Sequence, residues 1–201
     1  SAAGVCLLAQ PQDAHASPLE LALSTRVSDF SALGMHFTLG LYEHHSAGAI
    51  GGLPDLLAAH PSLLTDPADI ERIRITIYEP AFSIIGDPHK RDPRTRQSAD
   101  HSMVYIVGTL LRKAESGKRK AEWEAAELWR DLMLVPADYD DAALLHPLTR
   151  ALMDKIEFVH GGWEYGAKYP DGIPKQVEVE QRDRGRVTSV RGMDPDGGAR
   201  A

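Results

Sequence analysis

Two adjacent histidines lie in the segment Tyr42-Glu43-His44-His45-Ser46, directly before an apolar pattern that predicts a helix. Histidine exchanges protons near neutral pH, and a neighbouring glutamate or tyrosine can orient the ring or shift its pKa. The backbone N–H groups at the start of a helix are also free to face an anion. The segment is therefore a candidate for general acid–base chemistry on an anionic substrate, with ordinary surface histidines as the alternative.

A second candidate is the loop from His89 to Arg96, which carries one histidine and four permanent cations. Guanidinium groups bind carboxylates through two parallel hydrogen bonds, which suits a citrate-like trianion. Arg91, Arg94 and Arg96 are the side chains of this loop that could bind such a substrate. Because two aspartates accompany them in the sequence, a solvated, charge-rich loop is the alternative interpretation.

The third candidate is Asp100-His101-Ser102, which contains the residue types of a hydrolase triad. Three consecutive side chains at a helix start point in different directions and cannot align as nucleophile, base and orienting group. We interpret Asp100 as a helix cap and His101 or Tyr105 as part of a pocket wall, with simple helix packing as the alternative. The sequence has no zinc-helix, phosphate-loop or nucleophile-elbow motif, and its scattered histidines predict no metal site.

The apolar patterns predict the elements that position these side chains. The isoleucines of Ile73–Ile77 alternate with polar residues, as in a half-buried strand. Segments 176–180 and 186–190 predict a hairpin, and Leu19–Leu23 could form a short strand. The proline-rich segment 85–96 predicts an exposed loop. Helical periods predict helices from Ser46 to Pro61, from about Asp100 to Gly117, from about Lys120 to Leu134 and from Pro147 to Ile156.

Strands near both ends with helices between them predict an α+β fold. We expect a small two-layer domain with helices packed on a short mixed or antiparallel sheet. The domain is predicted over residues 31–191, after a weakly patterned segment over 1–30 and before a flexible tail over 192–201.

Composition narrows the classes of partner. The net charge of −7 and the lack of aromatic residues among the cations argue against nucleic acid, whereas a small polycarboxylate needs only a local cluster of cations. The single cysteine, Cys6, excludes an internal disulfide and favours a reducing, cytoplasmic location. No apolar run is long enough to span a membrane, so we expect no membrane partner.

An ordered series of segments, which spans about two-thirds of the chain, resembles the second, smaller domain of the MmgE/PrpD family. The segments that carry the resemblance are His36–Ala47, Tyr78–Phe82, Arg91–Tyr105, His146–Arg150 and Tyr169–Pro174. In that family a large helical domain and a smaller α+β domain enclose the active site. Its members dehydrate 2-methylcitrate or citrate, or decarboxylate cis-aconitate, without a metal. The resemblance implies the same α+β fold, a tricarboxylate substrate and no cofactor.

The resemblance also assigns roles to single residues. The family's substrate-facing histidine, just before a helix, corresponds to His44, which we expect to transfer a proton or bind a carboxylate together with Tyr105. The family's lysine after the aromatic of the His-Phe pair is replaced by Thr38, so a loop arginine would have to substitute for it or activity would be weakened. Substrate contacts are expected from Arg91, Arg94, Arg96 and His101.

The resemblance implies a hydro-lyase of propionate catabolism, the methylcitrate cycle, that is active only with a helical domain supplied in cis or in trans. The alternatives are a cis-aconitate decarboxylase-like lyase and a non-catalytic remnant or interaction module. A lid without its base is expected to expose apolar surface, which is compatible with a homodimer. Citrate and 2-methylcitrate differ by one methyl group, so the sequence leaves the choice between them open.

Overall fold

The computed structural model describes residues 40–116, 124–169, 172–182 and 185–188. The helices in these ranges are α1 (Ala47–Ala59), α2 (Ser62–Thr65), α3 (Glu79–Ile85), α4 (Arg96–Asp100), α5 (Met103–Ser116), α6 (Ala125–Leu132), α7 (Asp141–Leu144), α8 (Pro147–Asp154) and α9 (Trp163–Gly166). The strands are β1 (Ile70–Ile77), β2 (Ile156–His160), β3 (Lys175–Gln181) and β4 (Gly185–Thr188). No helix in the described ranges has the length and apolar character needed to cross a membrane.

The four strands form one mixed sheet in the order β2-β1-β3-β4. Strand β1 pairs in parallel with β2 and antiparallel with β3, and β3 pairs antiparallel with β4. In the register, Ile75 lies opposite Phe158 on one side and Val177 on the other. The predicted α+β fold with helices packed on a short mixed sheet is therefore confirmed.

The two faces of the sheet differ because polar and apolar residues alternate along β1. Ile73, Ile75 and Ile77 are fully buried and join the core that the helices cover. Arg72 and Arg74 point to the opposite face, where Arg74 Nη1 lies 3.1 Å from Glu178 Oε2. Such cross-strand pairs of opposite charge stabilise the solvent-facing side of a sheet.

The four predicted helices are confirmed as α1, α5, α6 and α8. The predicted start of α6 near Lys120 lies outside the described residues. Helix α1 continues through Pro54 and ends at Ala59, before Pro61. The predicted apolar face of α5 is buried along its length and includes Val104, Val107, Leu110 and Leu111.

Strand β2 was not predicted from the sequence. It begins at Ile156, two residues after α8 ends, and its five residues alternate too briefly to stand out from the helical pattern. The predicted hairpin is confirmed as β3 and β4, although Ser189 and Val190 lie outside the described residues. The predictions for segment 1–30 with Leu19–Leu23, for Thr38 and for the tail over 192–201 also lie outside them.

Candidate functional site

An open cleft of about 360 Å³ lies where the segment before α1 meets α4. One wall contains Glu43 and His44, and the other contains Arg96 and His101. Tyr139 also lines the cleft, and its hydroxyl donates a hydrogen bond to the backbone oxygen of Leu41. Three residues predicted from the sequence, His44, Arg96 and His101, are thus brought to one cavity.

Helix α4 places Arg96 at the edge of this cleft. Thr95 caps the helix: its Oγ1 accepts from Ser98 N at 3.2 Å, and Ser98 Oγ accepts from Thr95 N at 2.9 Å. This reciprocal cap fixes the position at which the helix begins, and Arg96 is its first residue. Arg96 is exposed, and no carboxylate among the described residues pairs with its guanidinium. Its fork is therefore open to an anionic ligand.

His101 follows the same helix and is oriented by its neighbour. Its Nδ1 is hydrogen-bonded to Asp100 Oδ1, and the side chain is 67% exposed. A carboxylate at Nδ1 fixes the ring and leaves Nε2 to face the cleft or the solvent. The aspartate predicted as a helix cap instead ends α4 and orients the histidine.

The opposite wall is a 3-10 turn from His44 to Ser46, which leads into α1. Glu43 N donates to Asp100 O at 2.9 Å, so the turn is tied to the end of α4. The Glu43 carboxylate caps the turn, because it accepts from His45 N at 2.5 Å and from Ser46 Oγ. His44 is half-buried on the cleft wall, with its ring 6.0 Å from that of His45. This places the predicted proton-transfer residue beside a capping carboxylate.

Behind this wall His45 contacts Tyr78, the residue that follows β1. His45 Nδ1 lies 2.5 Å from Tyr78 Oη, and the Tyr78 ring is stacked on Tyr169 at 5.2 Å between centroids. Burial lowers the pKa of His45 to about 4, and the nearby charges of Lys175 and His44 add to this effect. Burial also raises the pKa of Tyr78. Both groups are therefore neutral near pH 7 and act as hydrogen-bonding partners.

Lys175 is a buried cation in the same region. It is the first residue of β3 and is 1% exposed, and its Nζ lies 4.9 Å from the centroid of the Tyr78 ring and 3.4 Å from Ile173 O. Burial lowers the pKa of Lys175 to about 7, although the negative charge of Glu43 opposes this shift. Burial likewise raises the pKa of Glu43, while hydrogen bonds and the Lys175 charge lower it.

Sequence reasoning considered Glu43 only as a neighbour that could tune a histidine, and it missed Lys175 and Tyr139 as candidate site residues. A signal for Lys175 was present, since it shares a strand face with Val177 and Val179 and all three are buried. A lysine in phase with core valines is unusual, because lysine is almost never fully buried without a partner. That partner, Glu43, is distant in sequence, so the pair becomes visible only in the fold.

The structure places the other predicted site residues outside the lining of the cleft. Arg91 Nη2 donates to Ile156 O at 2.7 Å, and Arg94 pairs with Asp92 at 2.8 Å on the surface. Tyr105 is fully buried, and its hydroxyl donates to the backbone oxygen of Asp138. Its ring lies 5.8 Å from the ring of Tyr139, behind the cleft wall. Substrate contact by these three residues stays a prediction.

In the described ranges, no group of three or more His, Cys, Asp or Glu side chains could hold a metal ion. The polar groups that line the cleft include two imidazoles, a guanidinium and two carboxylates, supplied by His44, His101, Arg96, Glu43 and Asp100. Such a set can bind an anion through its cations and exchange protons with it through the imidazoles and carboxylates.

Comparison with known families supports the resemblance seen in the sequence. Residues 42–131 match the model of the MmgE/PrpD C-terminal domain, which is less than half of the 201 residues. The matched stretch contains both walls of the cleft apart from Tyr139, Leu41 and Gly40. A search of curated proteins finds no match to the chain.

Proposed function

We propose that this chain is a C-terminal domain of the MmgE/PrpD type and acts as the substrate-closing half of a lyase that dehydrates 2-methylcitrate or citrate. It would work with a helical domain in cis or in trans, in the cytoplasm and without a cofactor. The family match over residues 42–131 and the mixed-sheet α+β fold support this proposal.

The observation that carries the proposal is the cleft, where Arg96, His101 and His44 converge. A citrate-type substrate has three carboxylates, and an arginine fork with two histidines offers matching donors. The whole chain has a net charge of −7, which would repel a polyanion, whereas a small anion needs only local contacts with Arg96 and the two histidines.

Dehydration requires one group to take the C–H proton and a second to protonate the departing hydroxyl. In the proposal, His44 is one of these groups, because it lines the cleft and lies beside His45 and Glu43. The second group would come from the helical domain. Arg91, Arg94 and Tyr105 stay predicted contributors, and they would need a rearrangement to reach the ligand from their present contacts.

The first test is the binding of citrate and 2-methylcitrate to the chain, followed by isothermal titration calorimetry. We expect Arg96→Met and His101→Gln each to weaken binding by about tenfold, which corresponds to about 1.4 kcal/mol for a charge-assisted contact. Arg130→Met is the matched control, because Arg130 is 75% exposed on α6 and lies outside the cleft lining. Arg94→Met, measured in the same series, shows whether the loop also contributes.

The second test is an ultraviolet assay for double-bond formation, with the chain alone and mixed with a separately expressed helical domain of a related enzyme. Activity only in the mixture, lost in His44→Ala, would support the proposal. Loss of cis-aconitate with release of carbon dioxide would instead favour the decarboxylase alternative. A folded chain with neither binding nor activity would contradict the lyase and favour an interaction module.

A further inference from the structure

Glu43 is, with Asp100, one of two carboxylates that line the cleft beside Arg96 and the histidines. It is 8% exposed and lines the same cavity as Arg96 and His101. Its two oxygens accept hydrogen bonds from His45 N and Ser46 Oγ, so the side chain is held in one orientation. An anionic ligand in this cavity would therefore approach a fixed negative charge, which is unfavourable unless that charge is neutralised.

Lys175 is a buried cation on the far side of the Tyr78–His45 contact from Glu43: its Nζ lies 4.9 Å from the centroid of the Tyr78 ring, and His45 N donates to Glu43. The Lys175 side chain is enclosed by the Tyr78 ring and by α1, where Gly48 allows close approach: a Cβ at Gly48 would lie 3.4 Å from both Cβ and Cδ of Lys175. Lys175 is 1% exposed and cannot turn toward solvent without moving this packing. Its charge is thus a constant feature of the surroundings of Glu43 whenever Lys175 is protonated.

Other titratable groups also face this pair. They are His44 and His45 from the turn before α1, Tyr78 from the end of β1 and Lys90 from the 3-10 helix Pro88–Arg91. Arg96, Asp100 and His101 line the same cleft as Glu43. Lys90 acts on Glu43 in the same direction as Lys175 but more weakly. His45 stays neutral near pH 7 because burial lowers its pKa to about 4. Of the two lysines, Lys175 has the larger lowering effect on the pKa of Glu43.

We propose that the cleft takes up its carboxylate ligand together with one proton, which Glu43 holds, and that Lys175 sets the pH range of this uptake. The ligand class rests on the proposed function, whereas the burial of Glu43 and Lys175 behind the cleft wall is a property of the fold. Protonation removes the repulsion between Glu43 and the ligand, and Ser46 Oγ, which can also accept, keeps a partner for the new proton. The proton returns to solvent when the ligand leaves.

The electrostatics of the cleft agree with this coupling. Burial already raises the pKa of Glu43, and Lys175 partly offsets that rise. A bound anion would desolvate Glu43 further and place a like charge beside it, and both effects raise the pKa again. Uptake of a proton on binding is the expected consequence.

The first arm of the test needs no ligand. We would follow the carboxyl carbon of Glu43 by NMR against pH, in the chain and in Lys175→Met. The titration midpoint of Glu43 should rise in Lys175→Met, because the cation that lowers it is gone, and should not move in the control Lys168→Met, whose side chain is exposed. A Glu43 midpoint that does not respond to Lys175→Met would overturn the pairing.

The second arm measures citrate binding by calorimetry in two buffers that differ in ionisation enthalpy. The chain should take up about one proton more than Glu43→Gln, in which citrate's own protons are unchanged. If Glu43→Gln does not fold, Lys175→Met is compared with the chain instead. In that variant, proton uptake on citrate binding should extend to higher pH. If citrate binds and the number of protons taken up is equal in the chain and the variant, the inference about Glu43 is wrong but the proposed function stands. No citrate binding would contradict the proposed function and the uptake, even where Glu43 and Lys175 titrate as a pair.

Discussion

Arg91 belongs to a loop that the sequence predicts as an anion-binding site. In the structure, however, its guanidinium donates hydrogen bonds to backbone carbonyls. Nη2 donates to Ile156 O at 2.7 Å and to Met153 O at 3.4 Å, and the group lies 6.0 Å from the Phe158 ring centroid. These contacts join the loop to the end of α8 and the start of β2. The N–H donors of Arg91 that could bind a carboxylate ligand thus stabilise the connection between α8 and β2.

We expect Arg91→Met to lower the free energy of unfolding by about 1–3 kcal/mol, because it leaves partly buried carbonyls without a donor. Urea denaturation followed by circular dichroism would measure the change. Arg130→Met, which removes an arginine that is 75% exposed, should change stability by less than about 0.5 kcal/mol. Weaker citrate binding with unchanged stability would show instead that Arg91 is a ligand contact.

The residues of the site were predictable in proportion to how local their partners are. His101 and Asp100 are neighbours, and the His44 segment adjoins the helix it precedes, so short patterns identified them. Lys175 interacts electrostatically with Glu43, and the Tyr139 hydroxyl donates to the backbone oxygen of Leu41. Both partners are distant in sequence. No periodicity encodes such distant pairs, since they depend on the register of the sheet and the packing of the helices.

Among the elements, the interface between α1 and β3 depends on the absence of a side chain at Gly48. A Cβ there would lie 2.9 Å from Ile173 O and 3.4 Å from Lys175 side-chain atoms. The first distance is too short for a real contact, and its partner is backbone, which cannot move aside as a flexible side chain would. Helix α1 can therefore approach the start of β3 only with glycine at this position.

Gly48→Ala should lower the free energy of unfolding by about 1–3 kcal/mol, because the cost of overpacking exceeds the gain in helix propensity. Gly166→Ala is the control: nothing lies within 4 Å of its Cβ position, so the change should be neutral or slightly stabilising. Thermal and urea unfolding of both variants would decide. Equal stability of Gly48→Ala and the unchanged chain would contradict the close packing of α1 on β3.

The predicted elements succeeded where the apolar period was long. The buried face of α5 and the isoleucines of β1 repeat often enough to define their elements. Strand β2 was not recognised, because it has only five residues and they follow closely after a helix. Its parallel pairing with β1 supplies the evidence that the sequence lacked.

On the scale of the whole molecule, the fold extends beyond the stretch that matches the family. The match ends at residue 131, within α6, and includes β1 but not β2, β3 or β4. Both neighbours of β1 in the sheet therefore come from the later part of the chain. The same part supplies Tyr139, which lines the cleft, and Lys175, the first residue of β3, so both come from outside the matched stretch.

Lys175 connects this sheet to the pH dependence of stability. Burial lowers its pKa from 10.5 to about 7, so between these values the unfolded chain binds a proton that the folded chain lacks. Stability rises with pH wherever the unfolded state binds more protons. The contribution of Lys175 to the free energy of unfolding should thus increase from about pH 7 to pH 10, by at most about 1.4 kcal/mol per pH unit.

Lys175→Met removes this contribution while it keeps most of the buried stem. The difference in stability between the chain and Lys175→Met should therefore shift in favour of the chain as the pH rises from 7 to 10. Glu43, whose pKa is raised, acts with the opposite sign above pH 4.5, so Glu43→Gln is measured in parallel. Urea midpoints at several pH values give the slopes, and Lys168→Met serves as the exposed-lysine control. A constant difference across this range would mean that Lys175 keeps an ordinary pKa, and hence that it has access to water in the folded protein.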